Sequence, residues 1–144
     1  MEKALYDKDG FPIAYIADDY HQSIYLWEGD PIAYVFENEH IYGINGRHLG
    51  WFVQGIAYNQ NGERIGFIAT TCPVSIAKER PKAKKLPRDE FRPRWRSPAF
   101  PHLSCRYAAQ DLHDFLKEGQ VPPPRRTSLS MESPKTKYDV ESDQ

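Results

Sequence analysis

Four glycines, Gly10, Gly29, Gly46 and Gly62, recur at intervals of 19, 17 and 16 residues and carry the same neighbours each time. Four positions earlier stands Tyr6, Tyr25, Tyr42 or Tyr58, and immediately before the glycine stands Asp9, Glu28, Asn45 or Asn61. Three positions later comes Ile13, Ile32, Leu49 or Ile65, then a small residue (Ala14, Ala33, Gly50 or Gly66), then an aromatic (Tyr15, Tyr34, Trp51 or Phe67). Self-similarity over this many columns marks a supersecondary unit repeated four times.

Each copy reads as strand, tight turn, strand. Asp-Gly or Asn-Gly between apolar runs is a strong hairpin signal, because glycine takes a positive φ without a Cβ clash. Asp7 to Gly10 and Asn59 to Gly62 place a side-chain acceptor first and glycine fourth, which favours a type I turn closed by a G1 bulge. That turn pairs the Tyr column with Pro12, Pro31, His48 and Arg64. Carried one step further, it pairs Leu5, Ile24, Ile41 and Ala57 with Ile13, Ile32, Leu49 and Ile65. Alternation along the strands then sets those apolar pairs on one face with the Tyr/Trp/Phe column, and the Tyr column on the other with the Ala/Gly column.

A lone hairpin cannot bury an apolar face. Four of them can, by turning those faces to a common axis, which also limits exposed strand edges. The expected fold is all-β: four β-hairpin repeats around a pseudo-fourfold axis, followed by an extended basic segment and one short α-helix. The residues from Ile41 to Phe52, then Gly55 to Tyr58 and Gly62 to Phe67, resemble the 4-fold beta flower domain of bacterial proteins. The resemblance covers about residues 4–70. It implies four hairpins about a pseudo-fourfold axis, and it implies no catalytic residue and no ligand.

Charge divides the chain. Residues 1–77 carry four Lys/Arg against ten Asp/Glu, residues 78–96 carry nine against three, and residues 97–144 carry six against seven. An acidic hairpin domain (1–77) thus precedes a basic, proline-broken segment (78–105) whose prolines favour extended or polyproline-like backbone. Within 106–119, Ala108, Leu112, Phe115 and Leu116 fall on one helical face and Gly119 offers a stop, so a short amphipathic helix is expected. Residues 120–144, with Pro122 to Pro124 and little apolar content, read as a disordered tail. No stretch reaches the roughly 18 apolar residues of a membrane helix. An acidic first stretch without an apolar run does not read as a secretory signal. Cys72 and Cys105 are expected as free thiols in a reducing cytoplasm.

Candidate sites follow from these features. The basic segment, with Lys82, Lys84, Lys85, Arg92, Arg94 and Arg96 interleaved by Phe91, Trp95 and Phe100, could meet phosphates and stack on bases. It could equally be a strap laid over the acidic domain, where tethering raises the effective concentration of the partner; the absence of any accompanying nucleic-acid module favours the strap. Tyr25, Tyr42 and Tyr58, with His48 and Arg64 on the same expected face, could line an axial pocket, although a residue present in every copy is more simply cross-strand packing. His48 and Arg64 occur once each and break the symmetry. His102, Cys105, Cys72 and His113 lack the paired short spacing of a zinc site. Asp18, Asp19, Glu37 and Glu39 lack the rhythm of a calcium loop and read as solvated loop charges. No metal or other cofactor is expected. The chain has no phosphate loop, nucleophile elbow, His-Glu-x-x-His or kinase signature. The expected function is a non-enzymatic binding or interaction module, with the strap and helix either completing the domain or joining it to a partner; the sequence names no partner, another protein is one candidate, and no membrane is expected. The alternatives are a nucleic-acid-associated accessory protein acting through 78–96, or a small enzyme with an axial Tyr/His/Arg pocket.

Overall fold

The structure, a computed structural model, describes residues 2–87 and 93–120. Eight strands run in chain order: β1 (Lys3–Tyr6), β2 (Pro12–Ile16), β3 (Ser23–Leu26), β4 (Pro31–Phe36), β5 (His40–Gly43), β6 (His48–Val53), β7 (Ile56–Tyr58) and β8 (Arg64–Phe67). Each pairs antiparallel with the next and β8 returns to β1, which closes a barrel. One short helix, α1 (Leu112–Lys117), follows among the described residues. The all-β, four-hairpin architecture expected from the repeat is the one observed.

The four hairpin tips share one geometry. Gly10, Gly29, Gly46 and Gly62 all have positive φ, and each donates its N–H to the carbonyl three residues earlier, on Asp7, Leu26, Gly43 and Asn59. In the first and fourth copies the side chains of Asp7 and Asn59 accept from the turn amides of Asp9 and Asn61, as in an Asx-closed type I turn. The expected pairs Tyr6–Pro12, Tyr25–Pro31, Tyr42–His48 and Tyr58–Arg64 are all present.

One step beyond those pairs the register departs from expectation. Leu5, Ile24, Ile41 and Ala57 stand opposite Ala14, Ala33, Gly50 and Gly66, and Ile13, Ile32, Leu49 and Ile65 become the extra residue of a second bulge. A bulge bends the strand and raises its twist, and eight strands of three to six residues need that curvature to close. Proline at Pro12 and Pro31 suits the site, because it has no N–H to give the ladder. The extra residue reverses the faces of the second strand. Tyr15, Tyr34, Trp51 and Phe67 therefore join the Tyr column on the outer wall, where they pair across hairpin junctions with Tyr25, Tyr42, Tyr58 and Tyr6.

The interior is apolar and filled. Leu5, Ile24, Ile41, Ile32, Leu49 and Ile65 form the core, and Leu112, Phe115 and Leu116 of α1 enter it at the hairpin-tip end. Glycine in the small column makes room: Phe115 and Leu112 press on Gly50 and Gly66. The helix starts at Leu112, later than the stripe from Ala108 suggested. Arg64 donates its N–H to the Arg106 carbonyl and accepts from Ala108 N–H, which holds that stretch extended beside β8. Asp111 then caps the helix by accepting from the Asp114 N–H at 2.8 Å. The tail expected at 120–144 lies, from Val121 onward, outside the described residues.

Between barrel and helix the chain winds around the hairpin tips. Ala77, Leu86, Trp95 and Ser104, nine residues apart, donate their N–H groups to the carbonyls of Gly10, Gly29, Gly46 and Gly62 at 2.8, 2.9, 2.7 and 3.0 Å. Nine extended residues span about 28 Å, whereas adjacent hairpins are offset by only about 10 Å. The surplus lets the strap dip down the outer wall between the Gly10 and Gly29 tips, where Lys82 and Lys85 reach Glu2, before β1. The tip glycines serve this approach as well as the turn. At Gly62, φ is +78° and an added Cβ would collide with the His102 carbonyl. Gly62→Ala is expected to cost about 2 kcal/mol in urea unfolding; a loss within about 0.5 kcal/mol, typical of an indifferent surface site, would contradict the tip geometry.

Candidate functional site

The five residues expected at an axial pocket lie elsewhere. Tyr25, Tyr42 and Tyr58 face outward, because alternation along the first strands sets them opposite the inward Ile24, Ile41 and Ala57, and the axis is occupied by aliphatic side chains and α1. Arg64 anchors the end of the strap: its Nε donates to the Ser104 carbonyl at 3.2 Å and its Nη2 lies 3.7 Å from the Cys105 sulfur.

His48 is 6% exposed and sits among rings, with Trp51 at 4.7 Å, Tyr42 at 4.9 Å and His40 at 5.2 Å between centroids. Its hydrogen bonds determine its proton. Gln60 Nε2 lies 2.6 Å from the His48 carbonyl, so that atom is the amide nitrogen, and its second hydrogen goes to His48 Nδ1 at 3.1 Å. His48 Nδ1 is then the acceptor and Nε2 carries the proton, donated to His40 Nδ1 at 3.0 Å. Burial, and secondarily the neighbouring His40, hold the His48 pKa down at about 4. A neutral imidazole with both nitrogens engaged is a structural bridge between β5, β6 and the fourth hairpin tip.

The outer wall and the strap form the most developed polar surface. Tyr6 Oη donates to Glu79 at 3.1 Å, Trp27 Nε1 to the Arg80 carbonyl at 2.9 Å, and Tyr34 Oη to the Pro93 carbonyl at 2.8 Å. Rings of the strap dock on rings of the wall, Phe100 on Trp51 at 5.5 Å and Tyr107 on Phe67 at 5.9 Å. The cations follow. Lys82 and Lys85 meet the Glu2 carboxylate at 3.2 and 2.8 Å, Arg80 meets Glu28 at 3.2 Å, and Arg94 lies 4.0 Å over the Phe36 ring. The lysine hydrogen bond holds the Glu2 carboxyl below its usual range and the Lys85 ammonium above its own. Partly exposed pairs of this kind contribute about 0–1 kcal/mol each, and cation–π contacts about 0.5–2 kcal/mol. Lys84 and Arg96 are exposed, and Arg92 lies outside the described residues.

The remaining candidates stay apart. Cys72 Sγ lies 3.5 Å from the Asp7 carbonyl, His113 is 3.8 Å from its neighbour Asp114, and the His102 carbonyl abuts Gly62. Among the described residues no three His, Cys, Asp or Glu side chains come together as a metal site would need. Asp19 accepts the Ser23 N–H at 3.0 Å to close the loop between β2 and β3. At the end of the barrel opposite α1, a cleft of about 420 Å³ over Ile16 and Phe52 is rimmed by Lys3, Asp18, Asp19, Gln22 and Asn38. It pairs no nucleophile with a base.

The profile of the 4-fold beta flower protein matches residues 3–116. The chain belongs to the 4-fold beta flower family. The match runs through the strap to Leu116, so this beta flower unit includes the segment over the tips and the helix in its mouth, beyond the hairpins alone. No curated protein and no solved structure matches the chain.

Glu2, Tyr15 and Trp27 take part in the interface without having been singled out by the sequence. Trp27 occurs in one copy only, so the symmetry-breaking criterion that selected His48 would have found it too. His48 also gives a test of the fold. Its folded pKa lies below the ordinary 6.5, so the unfolded chain takes up the proton first. Stability is therefore full above pH 6.5 and falls towards pH 4, by about 3 kcal/mol from this group. Urea titrations at pH 7 and 4.5 should show that loss in the native protein, and His48→Gln should flatten the difference; an unchanged slope in the variant would contradict the assignment.

Proposed function

We propose that this beta flower protein is a non-enzymatic binding module whose strap completes the barrel. The observation that carries the reading is where the strap's charge goes: Lys82, Lys85, Arg80 and Arg94 are directed onto carboxylates and rings of the chain's own outer wall. A nucleic-acid surface needs such cations turned outward to displace counterions from phosphates, and here the hairpin domain beneath them is acidic. An enzyme would need a concave site with convergent titratable groups, whereas the axis is packed with aliphatic side chains and His48 is locked and neutral. Rigid barrels present function on what they display at their surface, which supports another protein as the partner. The free thiols Cys72 and Cys105 suit a reducing bacterial cytoplasm. No helix among the described residues is long and apolar enough to cross a membrane.

Replacing Lys82, Lys84, Lys85, Arg92, Arg94 and Arg96 with Gln should lower the melting temperature by roughly 5–10 °C, the effect of about 2 kcal/mol in a domain of this size. The native protein should elute from heparin at low salt. Strong, salt-sensitive retention together with an unchanged melting temperature would favour the nucleic-acid reading instead.

A further inference from the structure

The wall of β1 to β3 is shaped like a cation receptor. Tyr15 and Tyr25 stack with centroids 5.8 Å apart, Trp27 meets Tyr15 edge-on at 5.7 Å, and Glu2 supplies a carboxylate beside them. Two ammonium groups fill this space. Lys82 Nζ lies 5.0 Å from the Tyr15 ring and 5.1 Å from Trp27, and Lys85 Nζ lies 5.5 Å from Tyr25 and 5.8 Å from Tyr15. Both bind the same carboxylate. The backbone of the occupant is held as well: Trp27 Nε1 donates to the Arg80 carbonyl, which precedes Pro81, and Ala83 donates its N–H to the Trp27 carbonyl at 3.1 Å.

This pattern defines a ligand class. Extended polyproline-like chain has three residues per turn, so lysines three apart project on one side. Lys82 and Lys85 do so, and both reach the Glu2 carboxylate. An aromatic N–H to a carbonyl next to proline is the usual grip on a proline-containing extended peptide, and aromatic faces with a carboxylate are the usual grip on an ammonium. Each half of the recognition is met by a different part of the same groove.

We infer that the Tyr15/Tyr25/Trp27/Glu2 cage is a receptor for an extended, proline-flanked protein segment carrying two lysines three residues apart, and that the chain's own residues 80–86 occupy it in cis. The inference rests on the binding-module reading and names the partner's chemistry. Exchange of the cis occupant starts from its lysines: the Lys82, Lys85 and Glu2 side chains remain 31%, 44% and 30% exposed, so their attraction is screened by salt. Tethering holds the occupant at an effective concentration in the millimolar range, so a segment offered in trans enters when the cis lysines lose their charge or when a partner presents several copies.

The test uses the full chain and a fluorescein-labelled peptide with the sequence of residues 79–87, followed by fluorescence anisotropy. The Lys82→Gln/Lys85→Gln variant, its own occupant weakened, should bind the peptide at least about tenfold more tightly than the native protein, in a salt-sensitive way. Adding Glu2→Gln, or Trp27→Phe, which keeps the ring and removes the N–H, should reverse most of that gain. A peptide with Gln in place of both lysines should not bind. Equal binding by the native and vacated proteins, or binding indifferent to Glu2 and Trp27, overturns the receptor. If that happens while the strap variants still melt lower and heparin retention stays weak, the strap's structural role survives and only the receptor falls.

Discussion

The second bulge in each hairpin governs the rest of this molecule. Without it, alternation would turn Tyr15, Tyr34, Trp51 and Phe67 towards the axis, where eight short strands leave no room for four large rings beside the aliphatic core. With it, the aromatic columns lie outside and the interior closes on Leu, Ile and Ala, with the small column at Gly50 and Gly66 admitting α1. The consequence is an unusual barrel, oily on both faces, which would expose far more aromatic surface than a soluble monomer tolerates.

The strap answers that problem, and its chemistry is suited to it. A helix could not follow four tips around a barrel, and another strand would present an edge of its own. An extended segment broken by proline can run over the tips, give one amide to each glycine carbonyl and lay basic and aromatic side chains on the rings below. Proline reduces the entropy lost when such a chain is ordered. The opposite charges of hairpin domain and strap, hidden in a net charge of -1, make the association favourable before any contact forms. The same features make the wall a peptide-recognition surface, with the difference between folding and binding set only by which chain supplies the segment.

Much of this was legible. The tyrosine-to-glycine rhythm specified four hairpins and their turn type, because glycine at positive φ is a local requirement that sequence displays directly. The first pairing after each turn followed from turn geometry. The second bulge did not, since it answers a global demand for curvature, although Pro12 and Pro31 standing opposite tyrosines inside paired strands were a sign of it. The nine-residue step of the strap was invisible for a different reason. Ala77, Leu86, Trp95 and Ser104 act through main-chain N–H groups, which any residue but proline supplies, so no side chain records the period. The column misplaced with the faces was Tyr15, Tyr34, Trp51 and Phe67; Tyr25, Tyr42 and Tyr58 keep the face that alternation gives them, which is the outer wall and not an axial pocket. The cage escaped notice because Glu2 and Lys82 are 80 residues apart in the chain.

The outward orientation of the aromatic columns is the claim on which the strap, the cage and the filled axis all stand, and inter-proton contacts in solution test it most directly. In a nuclear Overhauser spectrum the ring protons of Tyr15, Tyr25, Tyr34 and Trp51 should show cross-peaks to strap protons between residues 80 and 100. Cross-peaks from those rings to Leu112, Phe115 and Leu116, the side chains that fill the barrel mouth, would put the aromatics inside and contradict the account.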